Sequence, residues 1–286
     1  MKTPPALFDT DLLALRRARA ARLGPADFLQ ETVAAEVAER LTDVNRRFHA
    51  PAVIGPRAAL WAGMLGLSDA RLVADADLLD LEPGAHDLVV HALSLHWAND
   101  PVGQLVQARR ALRPDGLCIA ALFGGETLAE LRVALAEAEI ATIGGLSPRI
   151  APMGEIRDLG GLLQRAGFAM PLADSRRYDV RYPSALALMR DLRAMGETNV
   201  QRDRLRRPVP RSLVARAAAA YADRSGDADG RVRATFEVIF LTGWAPAPDQ
   251  PKPLLPGSAS ARLADALGAA ERSADEPATP TARGEG

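Results

Sequence analysis

Two apolar runs separated by a helical stretch constrain this chain more than anything else in it. Asp87–Leu93 (DLVVHAL) and Leu117–Phe123 (LCIAALF) carry too few polar side chains for a strand with one wet face. Each reads as a strand buried on both sides. Between them, Asn99-Asp100-Pro101 is a helix start with proline at the first helical position. Val102, Leu105, Val106 and Leu112 supply one inward stripe. Arg113-Pro114-Asp115-Gly116 is predicted to be a turn into the second run. A strand, a helix and a strand with so long a connection make a parallel βαβ unit, and that demands helices on both faces of an open sheet.

The flanking sequence extends the pattern. Residues 5–50 read as helical. Leu12, Leu15, Ala18 and Leu23 share one face, and Phe28, Val33, Val37 and Leu41 share another. Pro51–Ile54 is a short first strand ending at Gly55. A helix follows from about Arg57 to Leu65, stopped by Gly66, and Arg71–Ala74 is a second strand ending at Asp75. After Gly124-Gly125, Thr127 and Glu130 are spaced as a capping box for the next helix. Ile156–Ala166 is a helix stopped by Gly167. Arg176–Tyr182 is a strand, followed by a helix capped by Ser184 and closed by Gly196. Residues 201–211 form a basic loop, and Thr235–Leu241 is the last strand. The expected organisation is a helical N-terminal extension (1–50), an α/β domain with helical insertions (51–244) and a tail (245–286). The tail's Pro, Gly and charge content reads as mostly disordered, with a short helix at Ser260–Leu267.

Composition excludes several function classes. The 286 residues carry a formal net charge of −1, so no global field draws the chain to nucleic acid or an anionic membrane. The single cysteine, Cys118, rules out an internal disulfide and a cysteine zinc site, and it is compatible with a reducing, cytoplasmic setting. No run approaches the roughly 20 apolar residues of a bilayer span. The arginine-bearing N-terminus is interrupted by Asp9 and Asp11 and reads as an ordinary first helix, not a targeting segment.

Several segments carry a family likeness. Asp87–Asp100, Arg110–Gly116 and Leu122–Arg132, with Gly144–Pro152, Asp158–Phe168, Met189–Asn199 and Gly243-Trp244 in the same order, resemble the class I S-adenosylmethionine-dependent methyltransferases. Within that fold they are most similar to the mitochondrial complex I assembly factor described as an arginine hydroxylase. The malonyl-carrier O-methyltransferase of biotin synthesis shares the core motifs. The resemblance implies a Rossmann-like open sheet of the class I type, S-adenosylmethionine as cofactor, and a protein substrate on a respiratory complex I subunit. The sequence departs from the family where its cofactor loop belongs. Val53-Ile54-Gly55-Pro56-Arg57-Ala58-Ala59 keeps one glycine of the Asp-x-Gly-x-Gly-x-Gly pattern, and Pro56 removes an N–H. The stretch from Gly55 to Asp75 is too short for a full extra βαβ unit, so the first half is degenerate and shortened. By local match, Asp75 follows the family's third strand and the second strand is absent.

In such sheets ligands sit beyond the carboxyl ends of the strands, and the candidates come from there. Gly55, Asp75, Asp77, His91 and Trp97 are the cofactor-binding candidates. His96 could orient a substrate or move a proton, and Glu126 could meet a guanidinium. Each has a plainer alternative. Gly55 can be a helix-entry glycine, the aspartates turn residues, His91 and the His96-Trp97 pair packing groups, and Glu126 a helix-start charge. No residue set is assigned to a metal. Three functions stay open: a methyltransferase-type or related protein-modifying enzyme, a carrier-bound carboxylate O-methyltransferase, and a catalytically inactive assembly protein that has lost its cofactor site.

Overall fold

The computed structural model describes residues 6–250. The chain divides into two units, Met1–Ala247 and Pro248–Gly286, and the sheet, the helices and the cavities below all belong to the first. The expected tail, with its helix at Ser260–Leu267, lies outside the described residues from position 251 onward.

Six strands form one open sheet: β1 Pro51–Ile54, β2 Arg71–Val73, β3 His86–His91, β4 Leu112–Phe123, β5 Ala169–Tyr182 and β6 Val232–Trp244. Their spatial order is β2-β1-β3-β4-β6-β5. The first four run parallel, whereas β6 is antiparallel to both β4 and β5. The apolar runs alternate sides with period two, as strand geometry requires. Val53, Leu88, Val90, Leu117 and Ile119 face one core, while Ala52, Ile54, Val89, Cys118 and Ala120 face the other. Helices α2 (Phe28–Asp43), α3 (Ala58–Met64), α5 (Ala129–Ile143), α7 (Ala185–Met195) and α8 (Arg211–Ser225) cover the first core through residues such as Val33, Trp61, Leu131, Leu188 and Tyr221. Helices α4 (Pro101–Ala111) and α6 (Ile156–Ala166) cover the second through Leu105 and Leu163. The class I methyltransferase-type α/β fold is thus present, and its central β3–α4–β4 unit is parallel as expected.

Several local details differ from the sequence reading. Arg113–Gly116 is part of β4, not a turn. The extra length bulges out of the pairing: His86 lies opposite Leu112 but Leu88 lies opposite Leu117, with Asp115 at φ 61°. The Thr127/Glu130 capping box does not form. The Thr127 hydroxyl donates to Glu237 O, and the Glu130 carboxylate accepts from the Thr235 hydroxyl and N–H. The start of α5 is therefore stitched to β6, with Leu128 at φ 55° as the residue before it. The shortened half also resolves differently. β2 pairs directly with β1, Ala52 opposite Arg71, so the place beside the first strand is filled. The strand lacking outside it is the edge one.

The remaining helix, α1 (Thr10–Leu23), packs on α7. Asp9 caps it through Leu12 N–H. Just before it, Phe8 N–H donates to Asn99 Oδ1 and the Phe8 ring meets Trp97 edge-on at 5.1 Å. Further along, Arg17 reaches Asp75. α1 therefore runs from the end of β3 to the end of β2, across the carboxyl edge of the sheet.

Candidate functional site

Two regions of that edge must be distinguished. The first lies beyond β1 and β2, where the sequence placed a cofactor. Gly55 has φ 144°, and a Cβ there would stand 2.8 Å from Ala92 O. The glycine is needed because the chain leaving β1 presses against the chain leaving β3. Its N–H is already taken by Val73 O at 2.9 Å. Pro56 offers no N–H, and the Arg57 guanidinium turns away to the Asp27 carboxylate. Asp75 sits at the end of β2, the position from which a carboxylate faces a ribose in doubly wound sheets, but Arg17 Nη1 holds its Oδ2 at 2.8 Å in a largely buried ion pair. Asp77 is exposed. His91 is fully buried, with Nε2 against Gln104 Oε1 at 2.8 Å and Nδ1 near the Ser94 hydroxyl. Burial depresses its pKa, so the ring is neutral and packed. Gly55, Asp75, Asp77 and His91 line neither of the two cavities described below. With its glycine N–H and its acid both committed, this end of the sheet does not fit S-adenosylmethionine as it stands.

The second region lies beyond β4 and β6. A cavity of about 720 Å³ opens there. Part of its wall is apolar, with Trp97, Phe123, Leu128, Leu131, Met189 and Phe236 on it. The one acid that lines it is Glu197. Trp97 Nε1–H donates to Glu197 Oε2 at 2.6 Å, and His96 Nε2 lies 3.2 Å from the same oxygen. Phe123 N lies 3.5 Å from His96 Nδ1, and the ring turns its Nε2–H to Glu197 as donor. The other carboxylate oxygen, Oε1, accepts no hydrogen bond among the described residues. Burial by itself would raise the Glu197 carboxyl. The His96 charge and hydrogen bond, the Arg17 charge and the Trp97 N–H outweigh it and hold the group below the usual carboxylate range. The His96 side chain is only 2% exposed, behind Glu197, and packs at a tilt against Phe123, with ring centroids 4.6 Å apart. Chemically this is an ionised carboxylate in a low-dielectric, aromatic-walled cavity, with one oxygen pinned and one open.

The structure therefore puts Trp97 on the cavity wall with His96 behind Glu197, and leaves the other candidates elsewhere. Glu126 is exposed beside the cavity and does not line it. Two groups were missed by sequence reasoning. Glu197 directly follows Gly196, the helix-stop glycine of α7. A carboxylate there opposes the helix dipole and so needs donors brought from elsewhere, which is the signal that could have found it. Arg149 lines the cavity while bonded at 2.7 Å to the buried Glu139, and Ser147 bonds the same carboxylate. No sequence pattern announces that contact. Among the described residues no three His, Cys, Asp or Glu side chains converge in a way that could hold a metal.

Comparison with known proteins adds four findings. Residues 56–120 match the family model described as a methyltransferase domain. The chain is 38% identical over 263 residues to the mitochondrial arginine-hydroxylase NDUFAF5 of Danio rerio, covering 84% of this chain and 82% of that one. It is 39% identical over 178 residues to the malonyl-[acyl-carrier protein] O-methyltransferase of Laribacter hongkongensis, covering 62% of this chain and 57% of that protein. Among solved structures, the YcgJ protein of Bacillus subtilis aligns with a TM-score of 0.47 at 11% identity, over 76% of this chain and 98% of its own.

Proposed function

This chain belongs to the NDUFAF5 arginine-hydroxylase family of methyltransferase-like proteins, and on that premise we propose that it is a protein-modifying enzyme acting on an arginine side chain of a respiratory complex I subunit. The observation that carries the reading is the open Oε1 of Glu197. A guanidinium is planar, weakly hydrated and always charged, and it pairs with a carboxylate better than any other protein side chain. In a cavity walled by Trp97, Phe123 and Phe236 its faces stack on aromatic rings while its N–H groups reach the carboxylate. Trp97 and His96 fix the carboxylate before the substrate arrives, so little ordering remains to be done on binding. The role of Glu197 is thus to bind and orient the arginine, and that of His96 and Trp97 is to hold Glu197 in place. S-adenosylmethionine is no part of this reading, since the strand ends that would hold it are committed to Arg17 and Val73. The relatives carry a mitochondrial designation; no described helix is long and apolar enough to cross a membrane.

The test is to co-express the chain with complex I subunits and examine their arginines by peptide mass spectrometry. Gain of one oxygen on a single arginine, lost in Glu197→Gln with the fold intact, is the expected result. Gain of a methyl group instead would move the assignment to methyl transfer. An unmodified arginine that is nonetheless captured by the chain would favour the assembly role, towards which the Arg17–Asp75 closure of the sheet edge also points.

A further inference from the structure

The mouth of the cavity carries charge that the pairing of one guanidinium with Glu197 does not use. Six arginines line the cavity (Arg16, Arg149, Arg193, Arg204, Arg206 and Arg207) against one carboxylate, Glu197. Arg149 is bound to Glu139, and Arg204 lies 3.5 Å from Asp9. The other four are exposed and enter no ion pair among the described residues. A second recess of about 390 Å³ adjoins the first. It shares Arg16, Arg193 and Thr198 with it, adds Arg19 and Arg190, and contains no acid. The arrangement follows from helix geometry. Arg16 and Arg19 are three apart on α1, as are Arg190 and Arg193 on α7, so each helix turns two guanidinium groups to the same side. The helices pack together, which gathers four like charges at one recess. A chain with 36 acidic against 35 basic residues has no overall excess of positive charge to explain a recess without an acid. The positive charge is segregated here, and like charges so placed repel one another unless a partner neutralises them.

We propose that this recess is the docking track for an acidic polypeptide segment, so that the substrate arginine of this enzyme is one flanked by aspartate and glutamate. The inference rests on the reading of Glu197 given above and extends it to the substrate's surroundings. A polypeptide fits where a nucleic acid does not. Its flanking carboxylates stay on the cationic rim, and a single cation enters the apolar cavity. A phosphodiester chain would instead bring its own negative charge against the buried carboxylate. The track would steer the encounter and fix direction and register more than it adds raw affinity. It also offers selectivity by repulsion, because a basic flank meets unpaired arginines at every step.

Fluorescence anisotropy with four labelled probes tests this on the full chain. They are a peptide with arginine between acidic flanks, the same arginine between lysine flanks, the acidic peptide with citrulline in place of arginine, and a short single-stranded RNA. The acidic arginine peptide is expected to bind at least about tenfold tighter than the lysine-flanked one, with affinity falling as salt rises. Arg190→Glu combined with Arg193→Glu, and separately Arg206→Glu combined with Arg207→Glu, should each cut that affinity by about tenfold or more. These residues are exposed, so an unchanged thermal transition is the control for folding. Equal binding of the lysine-flanked peptide, undiminished binding by both reversed variants, or tighter binding of the RNA would each overturn the track. Equal binding of the citrulline peptide would leave the track standing and overturn the arginine reading of Glu197, so the two can fail separately.

Discussion

The two halves of one sheet edge have been put to opposite uses. Beyond β1 and β2 the backbone is closed on itself: Gly55 N–H goes to Val73 O, Asp75 goes to Arg17, and α1 lies across the strand ends. Beyond β4 and β6 the chain leaves a cavity of about 720 Å³ with a charged oxygen unpaired on its wall. Both halves hold a carboxylate beside a strand end or helix end. They differ in what meets it. Asp75 is answered by a direct ion pair with Arg17, whereas Glu197 is held on one of its two oxygens by hydrogen bonds from Trp97 and His96, with the Arg17 charge acting from further off. A fold can thus keep its architecture while the seat for a ligand moves along the edge, because the sheet needs only its buried faces.

The largest effect should come from the closed half. Gly55→Ala places a Cβ 2.8 Å from Ala92 O at a φ of 144°, where an L side chain is strained. Strain and forced separation of two backbone segments together should cost on the order of 3 kcal/mol. In a domain of this size that lowers the melting temperature by about 10 °C. Differential scanning calorimetry reads it directly. A variant that melts like the native chain but loses ligand binding would mean that Gly55 faces a ligand after all, and the contrast between the halves would fail.

What was legible in the sequence follows from how local each cause is. The central strands and α4 could be read because buried parallel strands are apolar without interruption and because Asp100 and Pro101 announce a helix start within two residues. The stops at Gly167 and Gly196 were equally local, both glycines having positive φ. The capping box at Thr127 failed for the opposite reason. Its two side chains found better partners on β6, more than a hundred residues away. The turn expected at Arg113–Gly116, which is strand, and the expectation that the strand beside the first is absent failed for this same cause, since register and strand order are set by pairing and not by the residues of one segment. The site was half legible. His96 and Trp97 stood out by type and position, but Glu197 is a hundred residues from Trp97 and reaches it only because α7 ends there. The arginine of α1 that occupies Asp75 could not be foreseen from either segment alone.

A middle-sized effect probes the open half. Trp97→Phe keeps the ring beside Phe8 but removes the N–H from Glu197 Oε2. Loss of a hydrogen bond to a buried charged group should cost about 2 kcal/mol in denaturant unfolding. The pH dependence sharpens the point. The Glu197 pKa is lowered in the folded state, so its ionised form stabilises the fold at pH values above the unfolded carboxylate range, near about 4. That contribution is lost as pH falls through the lower folded value. The native chain should therefore lose stability in acid more steeply than Glu197→Gln, with Trp97→Phe between them. Parallel acid profiles for all three would show that Glu197 is not held ionised by these donors.

The smallest effect tests whether the closed half is shut by one contact or by its backbone. Arg17→Met keeps the length and apolar character of the side chain but frees Asp75. Both partners retain some exposure, 16% and 13%, and Asp75 lies between exposed alanines, so solvent can reach the released carboxylate. The expected cost is about 1 kcal/mol. Calorimetric titration with S-adenosylmethionine then separates the causes. No heat is expected from either the native chain or the variant, because Gly55 N–H remains bound to Val73 O and Pro56 still has no N–H to give. Heat from the variant alone would make the Arg17–Asp75 pair the sole latch over a seat that is otherwise intact. Heat from the native chain would mean that α1 already yields to the ligand, and the two halves would have to be treated as one site.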